Sequence, residues 1–315
     1  MTRFVLLSNM TNPNYLRLAV SKPGERARDI AQYACKGLDS FKTAIRDYLD
    51  AQGSPELFGA AISVPGWDRQ GVVQLPNHGF SIDRQDMREF LQTQRVNLIN
   101  DFVALALAVP RLEPNEYVKI CGGDAIPEQV MAVIGPHTGL GISALAPDGL
   151  GGWTVMPTEG GHSDLAATNE TEDAVLRFLV QKFGHVSRER VVSTSGLSNI
   201  WEALVHIDGS GEAIRGVEEI IALASAGDAR ARQCVDLSMG WFAAFASDAG
   251  LMLGARGGIY LTGELLDLLG DLFNVDAFVK RYTDKGRLSD FVSEIPVYRA
   301  TVSDMPIIGL ASLFE

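Results

Sequence analysis

Two stretches of this chain place polar, chemically competent side chains where the backbone changes direction. The first is Val96-Asn97-Leu98-Ile99-Asn100-Asp101-Phe102-Val103-Ala104-Leu105-Ala106. Val96 to Ile99 is short, β-branched and bounded by polar residues, so it reads as a buried strand. Phe102, Leu105, Ala106 and Val109 recur at i, i+3, i+4 and i+7, one face of a helix that stops at Pro110. Asn100 and Asp101 therefore fall at a strand-to-helix junction, where helix amides and strand ends converge on ligands in α/β proteins. Either residue could instead simply cap the helix.

The second stretch is Thr158-Glu159-Gly160-Gly161-His162-Ser163-Asp164. Glu159 can accept, and His162 donate or accept, hydrogen bonds from a polyhydroxylated ligand. The adjacent glycines allow close approach of backbone to a ligand. A metal site built on Glu159, His162 and Asp164 would need another His or Cys nearby, and none follows. An ordinary polar loop is the plainer reading. Gly135-Pro136-His137-Thr138-Gly139-Leu140-Gly141 is a third candidate, a phosphate or backbone-approach loop whose pattern is common by itself. His78, His185 and His206 stand alone among mixed neighbours and read as structural.

The elements around these residues alternate. Phe4 to Leu7 and Leu16 to Val20 read as a hairpin, Asp39 to Leu49 as a helix, Phe58 to Val64 as a buried strand and Arg84 to Leu91 as a helix. Gln74 to Phe80 reads as a polar turn. Gln129 to Ile134 and Ile142 to Ala146 repeat the opening strand–turn–strand arrangement, which predicts a second domain of related topology. Helical periodicity dominates afterwards: Glu172 to Phe183, Ser198 to His206, Val217 to Ala226, Ala229 to Gly250 and Glu264 to Leu272. Gly258 to Leu261 and Pro296 to Arg299 are strands, and Ile308 to Phe314 is a short last helix.

The 315 residues are 46% hydrophobic and 21% charged, a composition that favours a soluble globular chain of two domains. A formal net charge of −12 leaves no basic footprint for nucleic acid or an anionic membrane. Cys35, Cys121 and Cys234 are far apart and lack metal-ligand spacing, which suits a reducing cytoplasm. The start shows no signal-peptide layout. The apolar segment Met239 to Leu253 is interrupted by Asp248 and predicts a core helix, not a membrane span.

Ile99-Asn100-Asp101-Phe102, Thr138-Gly139-Leu140-Gly141, Glu159-Gly160-Gly161-His162 and Ser187-Arg188-Glu189-Arg190-Val191 occur in an order and spacing that closely resemble the bacterial, ATP-dependent, hexokinase-like glucokinases. Leu75-Pro76-Asn77-His78, Asp284-Lys285-Gly286-Arg287 and Ile295-Pro296-Val297-Tyr298 resemble further landmarks of that family. The cysteine cluster of its zinc-containing relatives is absent. The resemblance implies the actin-like ATPase (ribonuclease H-like) α/β fold, two α/β domains flanking a cleft. It implies a small domain over 1–111 completed by about 300–315, and a large domain over 112–299.

By the same resemblance, Asn100, Asp101, Glu159, His162 and Glu189 hold glucose or a related hexose, and Asp101 takes the proton from the 6-hydroxyl. Thr138, Gly139 and Gly263 serve the nucleotide, with Asn9, Thr11 and Asn14 as weaker candidates. ATP and Mg²⁺ are the implied cofactors, the protein alone offering no metal site, and a homodimer is a further expectation.

The nucleotide half departs from the family. Its opening Asp-x-Gly-Gly-Thr-Asn turn is replaced by Asn9-Met10-Thr11-Asn12-Pro13-Asn14, with an amide for the carboxylate and side chains for both glycines. Pro136 and His137 replace small residues, and Glu264 replaces a glycine. The terminal helix is also shorter than the family's. These departures favour a second expectation, a sugar-binding sensor or regulator that keeps the fold and has lost normal ATP use.

Overall fold

The opening hairpin is the centre of the first sheet. In the computed structural model, which describes residues 3–10, 14–66, 68–75 and 79–315, β1 (Phe4–Asn9) pairs antiparallel with β2 (Tyr15–Ser21), and β2 with β3 (Arg28–Ala34). Helix α1 (Leu38–Ala51) returns the chain to β4 (Leu57–Val64), parallel to β1. A small antiparallel sheet of β5 (Asp68–Arg69), β6 (Val72–Leu75) and β7 (Phe80–Asp83) follows. Gln74, Leu75 and Phe80 thus belong to strands and not to the expected turn, while Pro76, Asn77 and His78 lie outside the described residues. Helix α2 (Arg84–Leu91) leads into β8 (Val96–Asn100), parallel to β4, and α3 (Asp101–Ala108) begins at the next residue. The sheet order is β3-β2-β1-β4-β8.

The plan then repeats. After β9 (Tyr117–Cys121), strands β10 (Met131–Pro136), β11 (Leu140–Pro147) and β12 (Trp153–Thr158) form an antiparallel meander. Helices α4 (Glu170–Phe183), α5 (Thr194–Asp208), α6 (Val217–Ser225) and α7 (Ala229–Leu253) precede β13 (Gly258–Leu261), parallel to β10. Helices α8 (Glu264–Leu269), α9 (Val275–Thr283) and α10 (Ser289–Glu294) lead to β14 (Val297–Ala300), parallel to β13. The order β12-β11-β10-β13-β14 reproduces the first sheet, with β9 added antiparallel at its edge. Helix α11 (Met305–Ala311) closes the chain. Two compact units result, Met1–Pro114 with Val302–Glu315, and Asn115–Thr301.

Burial explains the patterns. Helix α1 buries Phe41, Ala44, Ile45 and Tyr48, which recur at i, i+3, i+4 and i+7 as one apolar face. Strand β4 is apolar but for Ser63 because both of its faces are covered. Ala60 and Ile62 pack in the cluster of Phe41 and Ile45, while Ala61 packs with Ala104, Ile307 and Leu310 from α3 and α11. Met239 to Leu253 lies within α7, where Trp241, Phe242 and Phe245 are buried. Among the described residues no helix is long and apolar enough to cross a membrane.

Candidate active site

In the first unit the site residues gather at the C-terminal ends of parallel strands. Asn9 ends β1 and is in register with Ser63 of β4, while Val64 of β4 is in register with Asn100 of β8. Asn100 is the N-cap of α3: its Oδ1 accepts the amides of Phe102 at 2.8 Å and Val103 at 3.4 Å. Its Nδ2 donates to the carbonyl of Gly66 at 3.0 Å, tying the junction to the loop after β4. Such a cap contributes about 1 kcal/mol. Capping therefore falls to Asn100, and Asp101 occupies the first helical position. Its side chain is 7% exposed, and Oδ1 accepts the amide of Phe102 at 3.0 Å. A carboxylate in the first turn also sits at the positive end of the helix dipole.

Asn9 is buried, and its Oδ1 accepts the Ser63 hydroxyl at 2.7 Å. Mg²⁺ is held through one or two carboxylates plus substrate phosphates. The neutral Asn9 and Ser63 oxygens do not fit a directly ligated Mg²⁺. Asn14, just before β2, is exposed and its carbonyl accepts the amide of Cys35 at 2.9 Å. Thr11 lies outside the described residues.

In the second unit the three sugar-site candidates form one polar cluster beside the β10–β11 turn. Glu189 sits in a 3-10 turn, Arg188–Arg190, and its Oε2 accepts the amide of Leu140 at 3.0 Å. The same oxygen lies 3.8 Å from Nε2 of His162. An added Cβ at Gly139 would overlap the Glu189 carboxylate, which would have to move aside. Gly161 is required, since an added Cβ would overlap the Leu140 backbone carbonyl. Gly161 of Glu159-Gly160-Gly161-His162 thus brings its loop against the backbone of the β10–β11 turn at Leu140. Glu159 precedes the 3-10 turn Gly160–His162 and His162 ends it, and both are exposed, their groups open to a ligand.

The two loops are joined by a bridge between Asp164 and Ser187. Asp164 turns its carboxylate to His185 Nε2 at 2.8 Å, away from the metal-type grouping with Glu159 and His162. Next to Glu189, Arg188 donates to the Ser163 hydroxyl at 3.0 Å, pairs with Asp248 at 2.9 Å and lies over the Phe245 ring. Lys285 also pairs with Asp248. Sequence reasoning assigned Asp248 no function, although a lone carboxylate inside the apolar run of α7 was the available signal.

Thr138 is exposed at the hairpin tip. Gly263 is buried, takes φ 117° and packs against Pro136 as N-cap residue of α8. His137 is half-buried beside them with its Nε2 enclosed, its Nδ1 accepting the Glu264 amide at 3.3 Å. Burial, helped by the nearby Arg299 charge, lowers its pKa to about 4. The imidazole is therefore neutral near pH 7. The histidine accepts a backbone amide at the start of α8, a bond that does not involve the Glu264 side chain.

A meander of three antiparallel strands continued by two parallel ones, built twice, with polar residues at the strand ends and hairpins, defines the actin-like ATPase fold. The family model for glucokinase matches residues 11–315. A glucokinase of Chromobacterium violaceum is 38% identical over 285 residues, covering 90% of this chain and 82% of that protein. The chain belongs to the glucokinase family. The crystal structure of a glucokinase from an Antarctic psychrotroph superposes with a TM-score of 0.87 at 26% identity, covering 100% of this chain and 99% of that one. A glucokinase from Streptomyces griseus, solved with glucose and AMPPNP, shares the fold with a TM-score of 0.66 at 15% identity, covering 99% of each chain.

Proposed function

We propose that this protein transfers the γ-phosphoryl group of ATP to O6 of glucose, with Asp101 as general base. The observation that carries the reading is Asp101 itself, a buried carboxylate held by a helix amide at the end of β8, in a chain of the glucokinase family. Asp101 accepts the proton of the sugar hydroxyl as that oxygen attacks phosphorus. Phosphoryl transfer to an alcohol needs little covalent chemistry from the protein, so positioning supplies most of the acceleration.

Positioning rests on contacts within each unit. Asn100 fixes the backbone from which Asp101 projects, through its cap and its bond to Gly66. Glu159, His162 and Glu189 bind other sugar hydroxyls, with Glu189 oriented by the Leu140 amide. Thr138 and Gly139 serve the phosphates, and Gly263 the adenosine side. The ATP-bound Mg²⁺ supplies charge neutralisation at the phosphates. With Asn9 in place of a carboxylate, the protein's own hold on the ion is weak. Three free cysteines suit a reducing cytoplasm.

Calorimetry with glucose and separately with Mg·ATP, followed by a coupled assay for glucose 6-phosphate, tests the reading. Binding of both with turnover is expected. Glucose binding without ATP binding or turnover would replace it with a sugar-binding regulator, and no sugar binding would remove both.

A further inference from the structure

The first unit carries a second cavity at the opposite end of its sheet from Asp101. Parallel strands β4 and β8 begin there, and Phe58 and Val96 line a space of about 410 Å³. Small-molecule sites span roughly 300–1,000 Å³. Arg88, in the last turn of α2, and Arg95, just before β8, line the same cavity. The side-chain carboxylate of Glu315, which also lines the cavity, pairs with Arg111, whose Nε lies 2.8 Å from Oε1. Neither Arg88 nor Arg95 has a carboxylate partner among the described residues.

Their surroundings point to an anion. Arg88 Nε is buried with no hydrogen-bond acceptor. A buried N–H without a partner is uncommon and costly, and here it faces toward no acid of the protein. Arg95 is held over the Phe58 ring at 4.1 Å, which fixes the guanidinium without using its donors. Arg88 and the exposed Arg95 place two guanidiniums without an acidic partner among the described residues on one cavity of a chain of formal charge −12. Planar guanidinium forks match phosphate oxygens. Gln94 and Asn97 add amide groups suited to hydroxyls, and Phe58 packs edge-on to Phe314 as an apolar wall.

We propose that this cavity is a binding site for a phosphate-bearing small molecule, a sugar phosphate in particular, separate from the catalytic residues. Arg88 and Arg95 hold the phosphate, Gln94 and Asn97 meet hydroxyls, and the aromatic wall takes the sugar's apolar face. The site does not depend on the catalytic reading.

Calorimetric titration of the full chain with glucose 6-phosphate, fructose 6-phosphate and inorganic phosphate tests it, each with saturating glucose present to block product binding at the catalytic residues. One saturable site is expected, weakened at least tenfold in Arg95→Ala and in Arg88→Gln. Sugar phosphates binding at least tenfold tighter than inorganic phosphate assign the site to sugar phosphates, and equal affinities assign it to free phosphate; both support a phosphate site. Hydrogen–deuterium exchange on the unaltered chain gives a readout free of folding effects, with slowed exchange expected over 88–97. No binding by any probe, binding undiminished in both variants, or unchanged exchange over 88–97 overturns the proposal. Failure of glucose itself to bind appears in its own titration and bears on the catalytic reading alone.

Discussion

The Glu189 carboxylate occupies the space where a side chain on Gly139 would begin, and its Oε2 accepts the neighbouring Leu140 amide at 3.0 Å. The β10–β11 turn and the glutamate proposed to bind the sugar are therefore directly coupled. Gly139→Ala should push Glu189 off the Leu140 amide and away from His162. Calorimetry should show glucose affinity reduced about tenfold or more, equivalent to about 1.4 kcal/mol. Affinity unchanged in Gly139→Ala would mean that Glu189 is not positioned by this contact.

Asp101→Asn preserves shape and the hydrogen bond to Phe102 but removes the base. General-base catalysis contributes typically 10²–10⁴-fold, so kcat in a coupled assay should fall by about that factor. Glucose binding should change little. Asn100→Ala tests the support and not the base: losing the cap should cost about 0.5–2 kcal/mol, read as a lower Tm, with kcat reduced because the Asp101 backbone is loosened. A variant Asn100→Asp, which keeps a capping oxygen, should recover much of the stability.

Much of this was legible in the sequence because burial writes periodicity. Strand β4 and helix α1 are covered, so Phe58 to Val64 reads as a buried run and Phe41, Ala44, Ile45 and Tyr48 as a helical face. Strands β3, β9 and β12 escaped because each lies at a sheet edge and is largely exposed, leaving little alternation to read. Site chemistry followed the same division. Asn100 and Asp101 were placed by their strand-to-helix junction. The roles of Gly139 and Gly161 were not, because glycine marks a close approach without saying what approaches. Only the fold brings Glu189 and Leu140 to those positions.

Asn9→Asp should restore part of the nucleotide half. Position 9 is 5% exposed and already accepts the Ser63 hydroxyl, a bond that a carboxylate keeps. The new charge is costly to bury without a counter-ion. Without Mg²⁺ the variant should melt below the unaltered chain, and Mg·ATP should narrow the gap. Turnover should rise and become more steeply dependent on Mg²⁺ concentration. Unchanged turnover would locate the limit in the other replaced residues of the turn.

His137 should make stability fall in mild acid. Burial, and then the charge of Arg299, lower its pKa from 6.5 to about 4. Between those values the unfolded chain binds a proton that the folded chain refuses, so stability rises with pH across that window and is full above about 6.5. The slope is at most about 1.4 kcal/mol per pH unit from this group. Protonation of Nδ1 would also end its bond to the Glu264 amide, so acid loosening should begin at the α8 start. Thermal melts between pH 4 and 7 of the unaltered chain and of His137→Gln, which retains an acceptor but cannot titrate, provide the check. The variant should show a flatter profile by about that slope. Parallel profiles would show that other groups carry the acid response.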